Sequence, residues 1–260
     1  MTELLLSAKD LVKRFGGLAA VNQVSIDLYR GQIHAVIGPN GAGKSTLTNL
    51  LSGDLPLTTG QITLNGKDIS KASPEQISKL GLGRSYQKTN VFLPFTVWDN
   101  VRLAAQSRDA QLAWNPVHWF QNTLDSTRQT ASNDAARAAI QLCKLENQTH
   151  TVASNMSHGE QRQLEIAMTL TTQPQVLLLD EPLAGMGVAE AERMIELLHQ
   201  LKRDHAILLV EHDMDAVFAL ADRLTVMVNG QVIASDTPAN IRADAAVQAA
   251  YLGEEVTEGA

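Results

Sequence analysis

Apolar and polar positions along this chain change period several times, and the changeovers mark its elements. Val24-Ser25-Ile26-Asp27-Leu28 alternates strictly, as a half-buried strand does. Gln61–Leu64 runs into Asn65-Gly66, a strong hairpin-turn dipeptide. Residues 1–36 and 61–66 are therefore expected to be rich in strands. Ile33–Gly38 reads as a buried strand that runs into a glycine-rich turn, with a helix over about 44–53. The pattern resumes near residue 176, where Val176–Asp180 and Ala206–Glu211 read as short buried strands. Between them Met194, Ile195, Leu197, Leu198 and Leu201 recur at helical spacing. Leu224–Val228 and Gln231–Ser235, joined by Asn229-Gly230, form a further expected hairpin. Strands alternating with helices predict an α/β fold with a parallel sheet covered on both faces.

Residues 74–172 carry no comparable buried strand run and read as mostly helical. Tyr86, Phe92, Phe95, Trp98, Trp114, Trp119 and Phe120 place seven of the eleven aromatics within 35 residues. They fit either a compact helical core or a docking surface, since aromatics are enriched at interfaces. The polar stretch 126–137 reads as a mobile connection, and 254–260 as a frayed tail.

Composition changes this picture little. A chain of 260 residues can bury a full core as one large domain or as a domain with a subdomain. The net charge of −7 argues against a broad nucleic-acid footprint, so no nucleic-acid partner is expected. The lone Cys143 has no partner for an internal disulfide, which fits a reducing compartment. The start MTELLLSAKDLVKRF does not read as a secretory signal, because Glu3 and Lys9 closely flank its short apolar run. No apolar run approaches the length of a membrane span.

The chemistry concentrates at GPNGAGKST: Gly38, Pro39, Asn40, Gly41, Ala42, Gly43, Lys44, Ser45 and Thr46. This is G-x-x-x-x-G-K-[ST] between an expected strand and an expected helix, the context the motif requires. Glycines let the backbone wrap a phosphate with consecutive N–H groups pointing inward, and the helix start adds positive potential. Lys44 is then placed for the β- and γ-phosphates, and Ser45 for Mg²⁺. A strand-end carboxylate is also needed for the metal, and Asp180 supplies it. Glu181, next along, is placed to orient or deprotonate an attacking water. His212 ends another expected strand and so shares the rim where ligands bind in parallel sheets. Gln87 can reach the metal or the water.

A second phosphate cradle is suggested at NMSHGEQRQLEIA (155–167), where Ser157, Gly159 and Gln161 stand at a loop-to-helix junction. The same residues have an ordinary reading, because Ser157 and Glu160 fit the S-x-x-E capping box of any helix start.

Taken together, these motifs resemble the ATPase subunits of ABC transporters over essentially the whole length. The chain has the family's P-loop, a Q-loop glutamine at Gln87, a signature in SHGEQ, a Walker B stretch VLLLDEP and a switch histidine in VEHD. KRFGGLAAV, GRSYQ, SHGEQRQLEIAM, DEPLAGM and AAYLG are closest to the branched-chain amino acid importer ATPases, and importers of amides and urea share much of the pattern. A soluble ABC ATPase of iron–sulfur assembly type and a non-catalytic ATP-binding regulator are the alternatives. The resemblance implies one P-loop NTPase domain with an antiparallel β subdomain and a helical subdomain. Residues 1–73 and 173–260 would form the nucleotide-binding core with the β subdomain, and 74–172 the Q-loop and helical part. It further implies a Mg²⁺-dependent ATPase in which Phe15 stacks on adenine, a contact worth about 1–3 kcal/mol. Ser157 and Gly159 would meet ATP held by a second ABC ATPase subunit, identical or related. Integral membrane permease subunits would be direct partners and a periplasmic solute-binding protein an indirect one. The expected location is the cytoplasmic face of the inner membrane. Two departures stand out: His158 replaces a signature glycine, and Ala184-Gly185-Met186-Gly187 lacks the D-loop aspartate.

Overall fold

The computed structural model describes residues 3–86, 90–107 and 126–249, with the backbone alone for 126–130. Contacts divide the chain into two units, one of residues 1–84, 175–181 and 198–260, the other of 85–174 and 182–197.

The first unit contains two sheets. β1 (Leu4–Phe15) and β2 (Leu18–Tyr29) form a long antiparallel hairpin, and β1 also pairs with β4 (Thr59–Leu64). β5 (Lys67–Asp68) adds the outer edge, giving the order β2-β1-β4-β5. The second sheet is built on β3 (Gln32–Ile37), β6 (Leu82–Arg84), β7 (Val176–Asp180), β8 (Ala206–Val210), β9 (Arg223–Val228) and β10 (Gln231–Asp236). Its order is β10-β9-β3-β8-β7-β6, and every pair is parallel except the β9–β10 hairpin. All residues of β7 and β8 are buried, as expected of strands covered on both faces. α1 (Lys44–Leu51) follows the loop after β3 and buries Leu47, Leu50 and Leu51 in a core shared with Leu6, Leu11, Val21, Leu178 and Leu208.

β6 was not expected within the segment read as helical. It has only three residues, one of them Gly83, so it carries no periodic signal. Arg84 at its end donates to Asp54 (2.6 Å), Ser52 (2.6 Å) and Asn49 (2.7 Å), beyond and within the last turn of α1.

In the second unit, α3 (Val97–Gln106), α4 (Ser126–Leu142) and α5 (His158–Leu170) pack together. The remaining described α-helices are α2 (Pro74–Lys79), α6 (Val188–Leu201), α7 (Met214–Leu220) and α8 (Pro238–Ala243). The expectation of a mobile connection at 126–137 is corrected, because these residues lie in α4. The helix meets its neighbours through Ala136, Ala139 and Ile140, with Cys143 just beyond, an i, i+3, i+4, i+7 stripe of mostly small residues. Its outer face is polar, which lowered the apparent hydrophobic signal. A helical core of aromatics is likewise not what the described residues show. Tyr86, Phe92 and Phe95 are exposed, and Trp98 is half-buried. Trp114, Trp119, Phe120 and the 254–260 tail lie outside the described residues.

Candidate functional site

Sheet register assembles the candidate residues of the first unit. Val36, Val210 and Asp180 share one row across β3, β8 and β7. Gly38, His212 and Glu181 follow within two residues of that row, so all emerge at the carboxyl ends of adjacent parallel strands. Ligands bind at that edge in open α/β sheets.

The loop 38–46 is shaped by close backbone packing. Gly38 has φ 153°, and a β-carbon there would stand 2.0 Å from the Met227 carbonyl oxygen. Gly43 has φ 100°, and a β-carbon there would stand 2.4 Å from the Ala20 carbonyl oxygen. The β9–β10 turn supports the loop as well, with Gly230 N–H donating to the Ala42 carbonyl at 3.0 Å. Lys44 Nζ donates to the Gly38 carbonyl and, at 3.0 Å, to that of Pro39. Gly43 is the N-cap of α1, whose first turn has no side-chain cap and no acidic residue. Those N–H groups, with an ammonium beside them, can receive an anion. Ser45 is exposed at the same helix start.

Asp180 is buried at the end of β7, 6% exposed. Glu181 adopts φ 48°, a conformation uncommon for a residue with a side chain, and its N–H donates to the Val210 carbonyl at 2.9 Å. His212 Nδ1 lies 3.8 Å from Glu181 Oε1 and 4.0 Å from Glu211 Oε2, so the ring stands within ion-pair range of two carboxylates. Sequence reasoning passed over Glu211, whose side chain is buried and accepts the His212 N–H at 3.3 Å. Strand alternation was the available signal, since it turns residue 211 opposite to 210 and 212. Among the described residues no group of three His, Cys, Asp or Glu side chains is gathered to hold a metal alone. Ser45 and Asp180 are instead suited to share an ion with phosphate oxygens.

Phe15 is half-exposed at the end of β1, with Lys13 Nζ 5.1 Å from its ring centre. It therefore stands half-exposed at the edge of the β sheet rather than filling its core.

In the second unit the capping box is present in full. Glu160 N–H donates to Ser157 Oγ at 3.2 Å, and Ser157 N–H donates to Glu160 Oε2 at 2.8 Å. Gln161 turns inward, its amide donating to the carbonyls of Ala153 (3.0 Å) and Met156 (3.5 Å), so it braces the loop before α5. His158 packs against Gly185, where a β-carbon would stand 3.2 Å from the ring Cδ2. Arg162 and Glu165, a buried pair at 2.9 Å, hold the backbone of Tyr86 through its carbonyl and, at 3.1 Å, its N–H. Burial raises the Glu165 pKa, partly offset by hydrogen bonds from Tyr86 and Arg162. Gln87, next to that anchored residue, lies outside the described residues.

The chain as a whole is similar to known proteins. A family model described as "ABC transporter" matches residues 21–184, and one described as "Branched-chain amino acid ATP-binding cassette transporter" matches 231–257. The chain is 39% identical over 257 residues to the high-affinity branched-chain amino acid transport ATP-binding protein LivG of Escherichia coli (strain K12), covering 98% of this chain and 100% of that one. It is 34% identical to BraF, the corresponding protein of Pseudomonas aeruginosa, with the same coverage. Two solved ABC transporter cassettes superpose with a TM-score of 0.82. One is nucleotide-free, at 28% identity covering 95% of this chain and 98% of that one. The other is in an ADP conformation, at 29% identity covering 96% and 99%.

Proposed function

Because this chain belongs to the ABC transporter ATP-binding family, a family of nucleotide-binding ATPases, we propose that it is the subunit that hydrolyses ATP to drive an importer of branched-chain amino acids. The observation that carries the reading is the strand-end row, where the Lys44 loop, Asp180, Glu181 and His212 meet on three adjacent parallel strands.

Within that reading the N–H groups of residues 38–46 receive the phosphates. Lys44 exchanges its loop carbonyls for β- and γ-phosphate oxygens, and Phe15 stacks on adenine. Ser45 and Asp180 hold Mg²⁺, with Gln87 as a further ligand. When bound, the ion offsets negative charge on the transferring phosphate. Glu181 orients the attacking water and accepts its proton, while His212, within ion-pair range of two carboxylates, donates to the γ-phosphate. Ser157 and Gly159 grip ATP carried by a second ABC ATPase subunit, and Gln161 keeps their loop in place. Two nucleotides are thus held between two subunits, and closure drives the permease subunits.

No described helix is long and apolar enough to cross a membrane, so attachment in this reading is through the permease. The exposed pair Phe92 and Phe95, with ring centres 5.5 Å apart, is offered as part of that contact. The chain then works on the cytoplasmic face of the membrane, with a solute-binding protein acting from the other side.

Glu181→Gln tests the chemistry. It should bind MgATP normally, lose hydrolysis by a factor on the order of 10²–10⁴, and accumulate closed dimers. Undiminished phosphate release would remove Glu181 from its role.

A further inference from the structure

The loop that carries Ser157 and Gly159 has a carboxylate packed on it within the same subunit, that of Glu190 in the first turn of α6. The Ser157 hydroxyl beside that carboxylate helps hold it below the usual carboxylate range. The same carboxylate accepts the Gly187 N–H at 3.2 Å through Oε2. It also crowds Gly159, where a β-carbon would stand 3.0 Å from Glu190 Cδ and 3.1 Å from Oε1. The loop that lacks the family's aspartate is therefore reached by a carboxylate from further along the chain. That carboxylate lies against both residues assigned above to the γ-phosphate of the opposing ATP. A phosphate oxygen and Glu190 would compete for one small space, and their like charges exclude joint occupancy.

We propose that Glu190 is an intramolecular latch on the signature loop, occupying the γ-phosphate position over Ser157 and Gly159 until a second subunit's ATP displaces it. The proposal rests on the nucleotide-sandwich reading and adds a residue that opposes closure. Release requires only that a partly exposed side chain at the start of a helix change rotamer. In the latched form the carboxylate stands against Gly159, so dimer closure carries the cost of displacing it.

Glu190 also has an ordinary role, since it accepts the N-terminal Gly187 N–H of α6 as the third residue of a capping box does. Glutamine serves that role equally well. Glu190→Gln therefore keeps the cap and the side-chain size while removing the charge. The substitution is made in the Glu181→Gln protein, and dimerisation at saturating MgATP is followed by analytical ultracentrifugation. The dimer dissociation constant should fall at least about fivefold, the lower end of usual coupling between sites. Glu192→Gln, an equal charge change on an exposed residue nearby, should leave it unmoved. An unchanged or weaker dimer with Glu190→Gln, or an equal gain with Glu192→Gln, overturns the latch alone. A Glu181→Gln parent that binds MgATP yet stays monomeric overturns the sandwich reading, and the latch with it.

Discussion

His34 shows how far a single position can depart from what its residue type suggests. It lies on β3, only 2% exposed, with Nδ1 3.2 Å from the Asp27 carbonyl and Nε2 2.7 Å from Thr225 Oγ1. A carbonyl can only accept, so Nδ1 carries the proton and Nε2 accepts from Thr225. Burial is the main cause that lowers its pKa to about 4. The unfolded chain takes up a proton near pH 6.5, which folded His34 resists until about pH 4. Its contribution is therefore complete above pH 6.5 and is lost as the pH falls toward 4. Linkage puts the loss between pH 7 and pH 5 at about 2 kcal/mol. Denaturant titrations at these two values should show that decline, and a His34→Gln protein should lack this part of it. A pH-independent difference between the two proteins would refute the assignment. Glu190 is the opposite case, because nothing in its neighbours along the chain announced a role. It lies against Gly159, a group that only folding brings near.

At the scale of elements, the phosphate-loop motif owes its shape to segments remote in sequence. Gly43 lies against Ala20 of β2 and close to Gly230 of the β9–β10 turn. A methyl group at position 43 would enter the Ala20 carbonyl and require a left-handed backbone besides. Gly43→Ala should consequently cost roughly 1–3 kcal/mol of stability and weaken MgATP binding at least tenfold, on the order of 1.4 kcal/mol. Calorimetric titration together with denaturant melts would check both, and near-normal affinity would show that the loop tolerates the displacement. The elements legible in advance were those with strong period or strong punctuation: β3, β7, β8, α6 and the hairpin at Asn229-Gly230. β6 and α4 were not. One is too short to show a period, and the other packs through alanines that hydrophobicity barely registers.

For the whole molecule, nucleotide binding and folding are coupled by mass action. MgATP at one hundred times its dissociation constant should stabilise the chain by about 2.7 kcal/mol, or roughly 5–10 °C in melting midpoint for a protein of this size. Removing the metal with EDTA should reduce the shift, and Lys44→Ala should nearly abolish it. An equal shift in Lys44→Ala, measured by differential scanning fluorimetry, would mean that nucleotide stabilises through some other site. The net charge of −7 and the exposed Phe92 and Phe95 belong to the same scale, since they bear on which surfaces meet other chains.

The sequence by itself determined the chemistry available at the strand ends, because the P-loop and the Asp180-Glu181 pair act through local backbone geometry and residue type. It determined the start of α5 too, where Ser157 and Glu160 satisfy each other within three residues. Tertiary structure alone decided which groups meet. It brought Glu181 within ion-pair range of His212, turned Gln161 into its own loop, set His158 on Gly185 and laid Glu190 against Gly159. The division has a physical cause. Local motifs are enforced by short-range hydrogen bonds and dihedral limits, which adjacent residues encode. Contacts between distant carboxylates, hydroxyls and rings follow instead from strand register and helix packing, which are fixed only when the entire core is buried.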